Sequence, residues 1–153
     1  MKQLEIKTSI QILKPAGEVF EAIVNPDHMR HYFIASATGR MESGKVITWS
    51  FPEFDLEFPI QVEKTEAGSY VSFFWESDGE QLLVEIMLEG IEGNSTLVTV
   101  TEKSRDADDA GIAWLQGNTA GWANFLACLK AYLEYGINLR KWAFEYLRKK
   151  DGQ

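Results

Sequence analysis

Apolar and polar residues alternate at the start of the chain, where Leu4, Ile6, Thr8, Ile10 and Ile12 are separated by Glu5, Lys7, Ser9 and Gln11. A period of two sends successive side chains to opposite faces and predicts a half-buried strand. The period then lengthens. Pro15 can open a helix whose apolar side is Val19, Phe20, Ile23 and Val24, because proline needs no N–H partner in a first turn. Asn25-Pro26 breaks that helix, and residues 27–33 predict a second short one.

From position 34 the pattern changes to strands and turns. Segments 46–51 (VITWSF), 54–63 (FDLEFPIQVE), 70–77 (YVSFFWES), 81–90 (QLLVEIMLEG) and 96–103 (TLVTVTEK) predict an antiparallel meander. In the second of these, Phe54, Leu56, Phe58, Ile60 and Val62 share a face, and Pro59, which lacks an N–H, predicts an edge position or a bulge. Val71, Phe73 and Trp75 share a face of the third, and Asp78-Gly79 predicts the turn that follows. Leu82, Val84, Ile86 and Leu88 line one side of the fourth, with Glu85 on the other.

The last part reads as helix. Trp122, Phe125, Leu126, Leu129, Tyr132 and Leu133 recur at three-to-four spacing, and Gly136 is a stop signal. Leu139, Trp142, Ala143, Tyr146 and Leu147 predict a further turn or a short separate helix. The sheet has one apolar face and the long helix one apolar stripe, so the economical arrangement lays the helix across the sheet. Each fully buried large side chain on that stripe contributes about 1.5–3 kcal/mol.

Composition narrows the class. At 153 residues, 45% hydrophobic and 25% charged, the chain matches one globular domain spanning 1–153. No apolar run reaches membrane-spanning length and the start has no secretory apolar core, so the expected location is the cytoplasm. Cys128 is the single cysteine, which excludes an internal disulfide and a cysteine-based metal site. A net charge of −8 disfavours nucleic acid and anionic membrane as partners. The exception is segment 139–150, with five basic residues against one acid. It reads as a solvated C-terminal helix or a docking patch.

This order of elements, with the stretches IQILKPAGEVFEAIVNPDHMRHYF, WSFPEF through FFWES, and GWANFLACLKAYLEYG, resembles the helix-grip or START-like (Bet v 1-like, SRPBCC) superfamily. Within it, the closing GWANFLACLKAYLEYG is similar to the family related to the C-terminal domain of the activator of the Hsp90 ATPase. The resemblance covers roughly residues 4–136. It implies an α+β fold in which a curved antiparallel sheet wraps a long C-terminal helix, with two short helices after the first strand. It also implies a hydrophobic cavity between sheet and helix, of the kind used by carriers of small hydrophobic molecules. The activator itself is a co-chaperone with an N-terminal domain not found in these residues, so its activity does not follow from the resemblance.

On the predicted faces, Phe58, Phe73, Trp75, Ile86, Trp122, Phe125, Leu129 and Tyr132 turn toward the sheet–helix interior, and Trp114 is added as a ring near an opening. Side chains this large either fill a core or line a hollow one, and both readings stand on the sequence. His28, His31 and Asp27 lie close along one segment but offer no set of four metal ligands. Cys128 reads as a buried filler, and Glu57 and Glu85 as solvent-facing residues opposite the buried positions. No nucleotide loop or cofactor motif is present. Three function classes remain. The first is non-enzymatic binding of a small hydrophobic molecule; the second is a co-chaperone-like module with a chaperone or other protein partner; the third, least supported, is a cyclase- or hydrolase-type enzyme.

Overall fold

The computed structural model describes residues 2–77 and 79–151, with the side chains of 149–151 left aside. Seven strands form one antiparallel sheet in the order β1-β7-β6-β5-β4-β3-β2. Strand β1 (Gln3–Ile12) leads into α1 (Ala16–Val24) and α2 (Pro26–Met29). The meander follows as β2 (Ser36–Ala37), β3 (Val46–Ser50), β4 (Glu57–Glu66), β5 (Tyr70–Ser77), β6 (Glu80–Ile91) and β7 (Ser95–Asp106). Helix α3 (Asp109–Tyr135) and the short α4 (Glu145–Asp151) complete the chain. A curved sheet holding one long helix is the helix-grip arrangement.

The helix α3, about 40 Å long, is capped at both ends and tied to the end of β1 near its own C-terminus. At its start the Asp108 carboxylate accepts a hydrogen bond from the Gly111 N–H at 2.8 Å, which satisfies one of the free donors of the first turn. At its end Gly136 adopts a left-handed conformation, φ 66°, and its N–H reaches the Tyr132 carbonyl at 2.9 Å. Nearby, Glu134 accepts from the Leu13 N–H and Lys130 donates to the Gln11 carbonyl, both at 2.8 Å. Because β1 and β7 are neighbours, these contacts set α3 along β1 and bury Trp114, Trp122, Phe125, Leu126, Cys128 and Leu129 on the sheet.

Several details depart from the sequence expectation. The second short helix ends at Met29, not near residue 33; residues 30–33 form turns, and Tyr32, Phe33 and Ile34 are all buried. Strand β4 begins at Glu57, so Leu56 lies in the irregular connection before it and is 64% exposed instead of sharing the face of Phe58 and Ile60. The bulge in β4 falls between Val62 and Lys64. Pro59 pairs with Thr48 of β3 but lies beyond the pairing with β5, which starts at Gln61. Residues 139–144 form turns, and Leu139, Trp142 and Tyr146 are exposed. Asp78 of the Asp78-Gly79 turn is outside the described residues; Gly79 has φ 83°.

Candidate functional site

Strand β7 carries Val98, Val100 and Glu102 on its inward face, so the alternation that buries the two valines also buries a carboxylate. Glu102 is 0% exposed. Its register neighbours are Val84 on β6 and Ile6 on β1. No cation faces it among the described residues. Three neutral donors satisfy it instead. The Trp122 indole N–H donates to Oε1 at 2.8 Å, the Trp75 indole N–H to Oε2 at 3.1 Å, and the Asn118 amide reaches both oxygens at 3.2 and 3.5 Å. A buried carboxylate without such donors would be strongly unfavourable.

Asn118 and Trp122 stand one helical turn apart on α3 and Trp75 is on β5, so Glu102 ties helix to sheet and fixes two indoles. Their centroids are 5.4 Å apart at 42°. Together with Phe33, Phe51, Phe54 and Phe58, Gly121, Asn118 and Arg140, they line a hollow of about 220 Å³ between the sheet and α3. The rings pack edge-on to one another, as Phe33–Phe51 at 5.2 Å and Phe51–Phe58 at 5.3 Å. Their positive edges meet negative faces in such pairs. With both N–H groups committed to Glu102, Trp75 and Trp122 offer the hollow carbon surface.

Arg140 comes from the turns after α3. Its Nε and Nη2 donate to the two oxygens of Glu53 at 3.1 and 2.8 Å. Glu53 is 3% exposed, in the connection between β3 and β4. The guanidinium also lies over the rings of Phe33, Phe51 and Phe144, at 5.6, 5.5 and 4.9 Å from their centroids. Arg140 and Phe33 separate the ring-lined hollow from a second cleft, of about 270 Å³, that includes Arg30, Lys141 and Trp142.

Of the residues singled out from the sequence, Phe58, Trp75 and Trp122 meet at the hollow. Phe73 lies behind it, 5.3 Å from Trp49 and 5.8 Å from Trp75. Phe125 packs under Phe33 at 4.7 Å. Ile86 and Leu129 are buried in the core. Trp114 is buried earlier on α3, and its indole N–H, like that of Trp49, has no hydrogen-bond partner among the described residues. Tyr132 is further along α3, where its hydroxyl meets His28 Nδ1 at 2.6 Å and its ring stacks on His31 and Tyr32.

The family profile described as AHSA1, activator of Hsp90 ATPase homolog 1-like protein, matches residues 14–134. The chain belongs to this family. The AHSA1-like assignment agrees with solved structures. The crystal structure of protein SSP2350 from Staphylococcus saprophyticus is 35% identical, covers 90% of this chain and 96% of its own, and superposes with a TM-score of 0.80. The Aha1 dimer from Colwellia psychrerythraea is 21% identical over 87% of this chain and 98% of its own, with a TM-score of 0.75. DynU16, from the dynemicin biosynthetic locus, is 24% identical over 87% of this chain and 48% of its own, with a TM-score of 0.77. The last two share the fold. No curated protein sequence matches the chain.

Within this AHSA1-like frame, Cys128 is buried and burial pushes its thiol pKa up, the opposite of an activated nucleophile. Burial likewise raises Tyr132. Glu57 is exposed, and Glu85 accepts the Tyr70 hydroxyl at 2.6 Å on the side of β6 away from Val84 and Ile86. Among the described residues no group of three or more His, Cys, Asp or Glu side chains is placed to hold a metal. Sequence reasoning missed Glu102, Asn118, Gly121, Phe33, Phe51, Phe54, Glu53 and Arg140. For Glu102 a signal existed, since it continues the inward set of Val98 and Val100. Phe33, Glu53 and Arg140 sit on irregular segments, where no period marks which way a side chain turns.

Proposed function

We propose that this AHSA1-like protein binds a small hydrophobic ligand, one or two rings in size, in the hollow between the curved sheet and α3. The observation that carries this reading is the pair of indoles clamped by Glu102. Their orientation is fixed before any ligand arrives, so little ordering cost falls on binding. A volume of about 150 Å³ holds benzene, and 220 Å³ leaves room for a second ring. The family relationship supports a non-enzymatic role.

The test is titration with 2-naphthalenemethanol, followed by tryptophan fluorescence and calorimetry. Gly121 is at the edge of the hollow, and a Cβ there would meet nothing within 4 Å. Gly121→Leu is therefore expected to weaken binding about tenfold or more while the protein stays folded. Absence of binding to the wild type, or unchanged affinity in both Gly121→Leu and Phe58→Ala, would remove the proposal. Native mass spectrometry of the purified protein adds an independent reading, because a retained ligand shows as extra mass that denaturation releases.

A second reading, a co-chaperone-like interaction module, draws on the family and on one surface feature. Tyr135, Ile137, Leu139, Trp142 and Tyr146 are exposed within and just before the basic C-terminal segment, Trp142 at 74% and with φ 63°. An exposed apolar group of this kind suits a protein partner. Stimulation of the ATPase of an Hsp90-type chaperone by the wild type, and its loss in Trp142→Ser, is the expected result under this reading.

A further inference from the structure

We infer that Arg140 sets the ligand chemistry of the ring-lined hollow, selecting an aromatic molecule that carries an oxygen anion, a carboxylate or phenolate, over neutral or cationic molecules of the same shape. The inference rests on the ligand-binding reading above. It also concerns a residue outside the segment matched by the family, residues 14–134.

The polar groups around the hollow favour an anion. Trp75 and Trp122 spend their N–H groups on Glu102, and the Asn118 amide N–H2 is turned to the same carboxylate. Glu102 is fully buried, is not part of the lining, and accepts on both oxygens. It therefore has little to offer a ligand cation. Among the described residues Arg140 is the one charged residue in the lining. Its Nε and Nη2 are used by Glu53, while Nη1 has no hydrogen-bond partner among the described residues. An arginine carries five N–H donors in a fixed plane, so two remain on Nη1.

A ligand cation meets two obstacles. Two of the ring faces that would attract it, those of Phe33 and Phe51, already hold the Arg140 guanidinium, and the same positive group repels it from the rest of the lining. An oxygen anion meets neither, and a charge-assisted hydrogen bond from Nη1 is stronger than a neutral one. The protein's overall charge of −8 opposes an anion. That field is screened beyond about 8 Å at physiological ionic strength, whereas Arg140 itself lines the hollow.

The experiment compares three probes of one shape by calorimetry: naphthalene-2-carboxylate, 2-naphthalenemethanol and 2-naphthylmethylammonium. The wild type is expected to bind the carboxylate about tenfold or more tighter than the alcohol, with the ammonium weakest. Arg140→Gln should erase the preference, so that carboxylate and alcohol bind the variant within about twofold of each other. Because Arg140→Gln leaves Glu53 buried without its cation, the double variant Glu53→Gln/Arg140→Gln is measured beside it, and the same loss of preference is expected there. Ammonium binding as tight as carboxylate, or a carboxylate preference that survives in both variants, overturns the role of Arg140 while the hollow remains a binding site. No binding of any probe to the wild type overturns both readings together.

Discussion

Replacing Glu102 by glutamine keeps its size and removes half of its acceptor capacity. The new amide N–H2 must then face an indole N–H or the Asn118 amide, donor against donor, in a place sealed from water. Glu102→Gln is expected to cost about 1–3 kcal/mol in urea unfolding and to shift the tryptophan emission, because one of the two indoles bonded to it loses its acceptor. A neutral or stabilising result would show that the three donors do not need the carboxylate. Gly111 makes a second single-residue argument. A Cβ there would stand 1.9 Å from the Asp106 carbonyl oxygen, whereas at Gly117 it would meet nothing within 4 Å. Gly111→Ala should therefore destabilise by about 1–3 kcal/mol. Gly117→Ala should stabilise by about 0.5–1 kcal/mol, since alanine loses less backbone freedom in a helix. Equal effects at the two positions would refute the packing of the α3 start against the end of β7.

At the scale of elements, α3 carries a conflict between stability and an open site. Gly121 weakens the middle of a 27-residue helix, and nothing packs where its side chain would be. Gly121→Ala is expected to raise the unfolding free energy by about 0.5–1 kcal/mol with only a small loss of ligand affinity, and Gly121→Leu to weaken binding about tenfold or more without unfolding the helix. A destabilised Gly121→Ala would mean that the backbone, not the hollow, requires glycine there. The long elements were readable because each repeats one period over many residues: β1 from Leu4 to Ile12, β5 from Tyr70, α3 from Trp122 to Leu133. Their ends and the site were harder to read. Two-residue β2 has no period to detect. Phe33 and Glu53 are turned inward by irregular backbone, and Arg140 reaches the hollow only because the chain folds back after the Gly136 cap. Glu102 was hidden differently, by the habit of reading a charged residue on a strand as the solvent side. The three aromatic residues of the hollow that were anticipated, Phe58, Trp75 and Trp122, lie on regular strands or on the helix.

For the whole molecule, the attachment of α3 to the far end of β1 makes stability depend on a carboxylate. Burial pushes the Glu134 pKa up, but the Leu13 N–H and the Lys130 ammonium outweigh it and hold the group below its ordinary value of 4.5. Glu21 is also lowered, chiefly by the Arg40 guanidinium, whose two nitrogens bond it at 2.5 and 2.9 Å between α1 and the connection before β3. A carboxyl group with a lowered folded-state pKa stabilises the fold above its unfolded pKa. That contribution is lost as pH falls through the folded value. Glu134→Gln should therefore lower the Tm at neutral pH, and the gap between variant and wild type should close in acid, below the ordinary carboxylate range. Glu21→Gln should narrow in the same direction with a smaller gap, because its pair with Arg40 is more exposed to solvent, which weakens it. Melting curves of both variants and the wild type across this range provide the check. A Tm gap for Glu134→Gln that stays constant into acid would place its contribution in packing instead of charge, and the coupling between α3 and β1 would then have to rest on the apolar face of the helix and on the Lys130 bond to the Gln11 carbonyl.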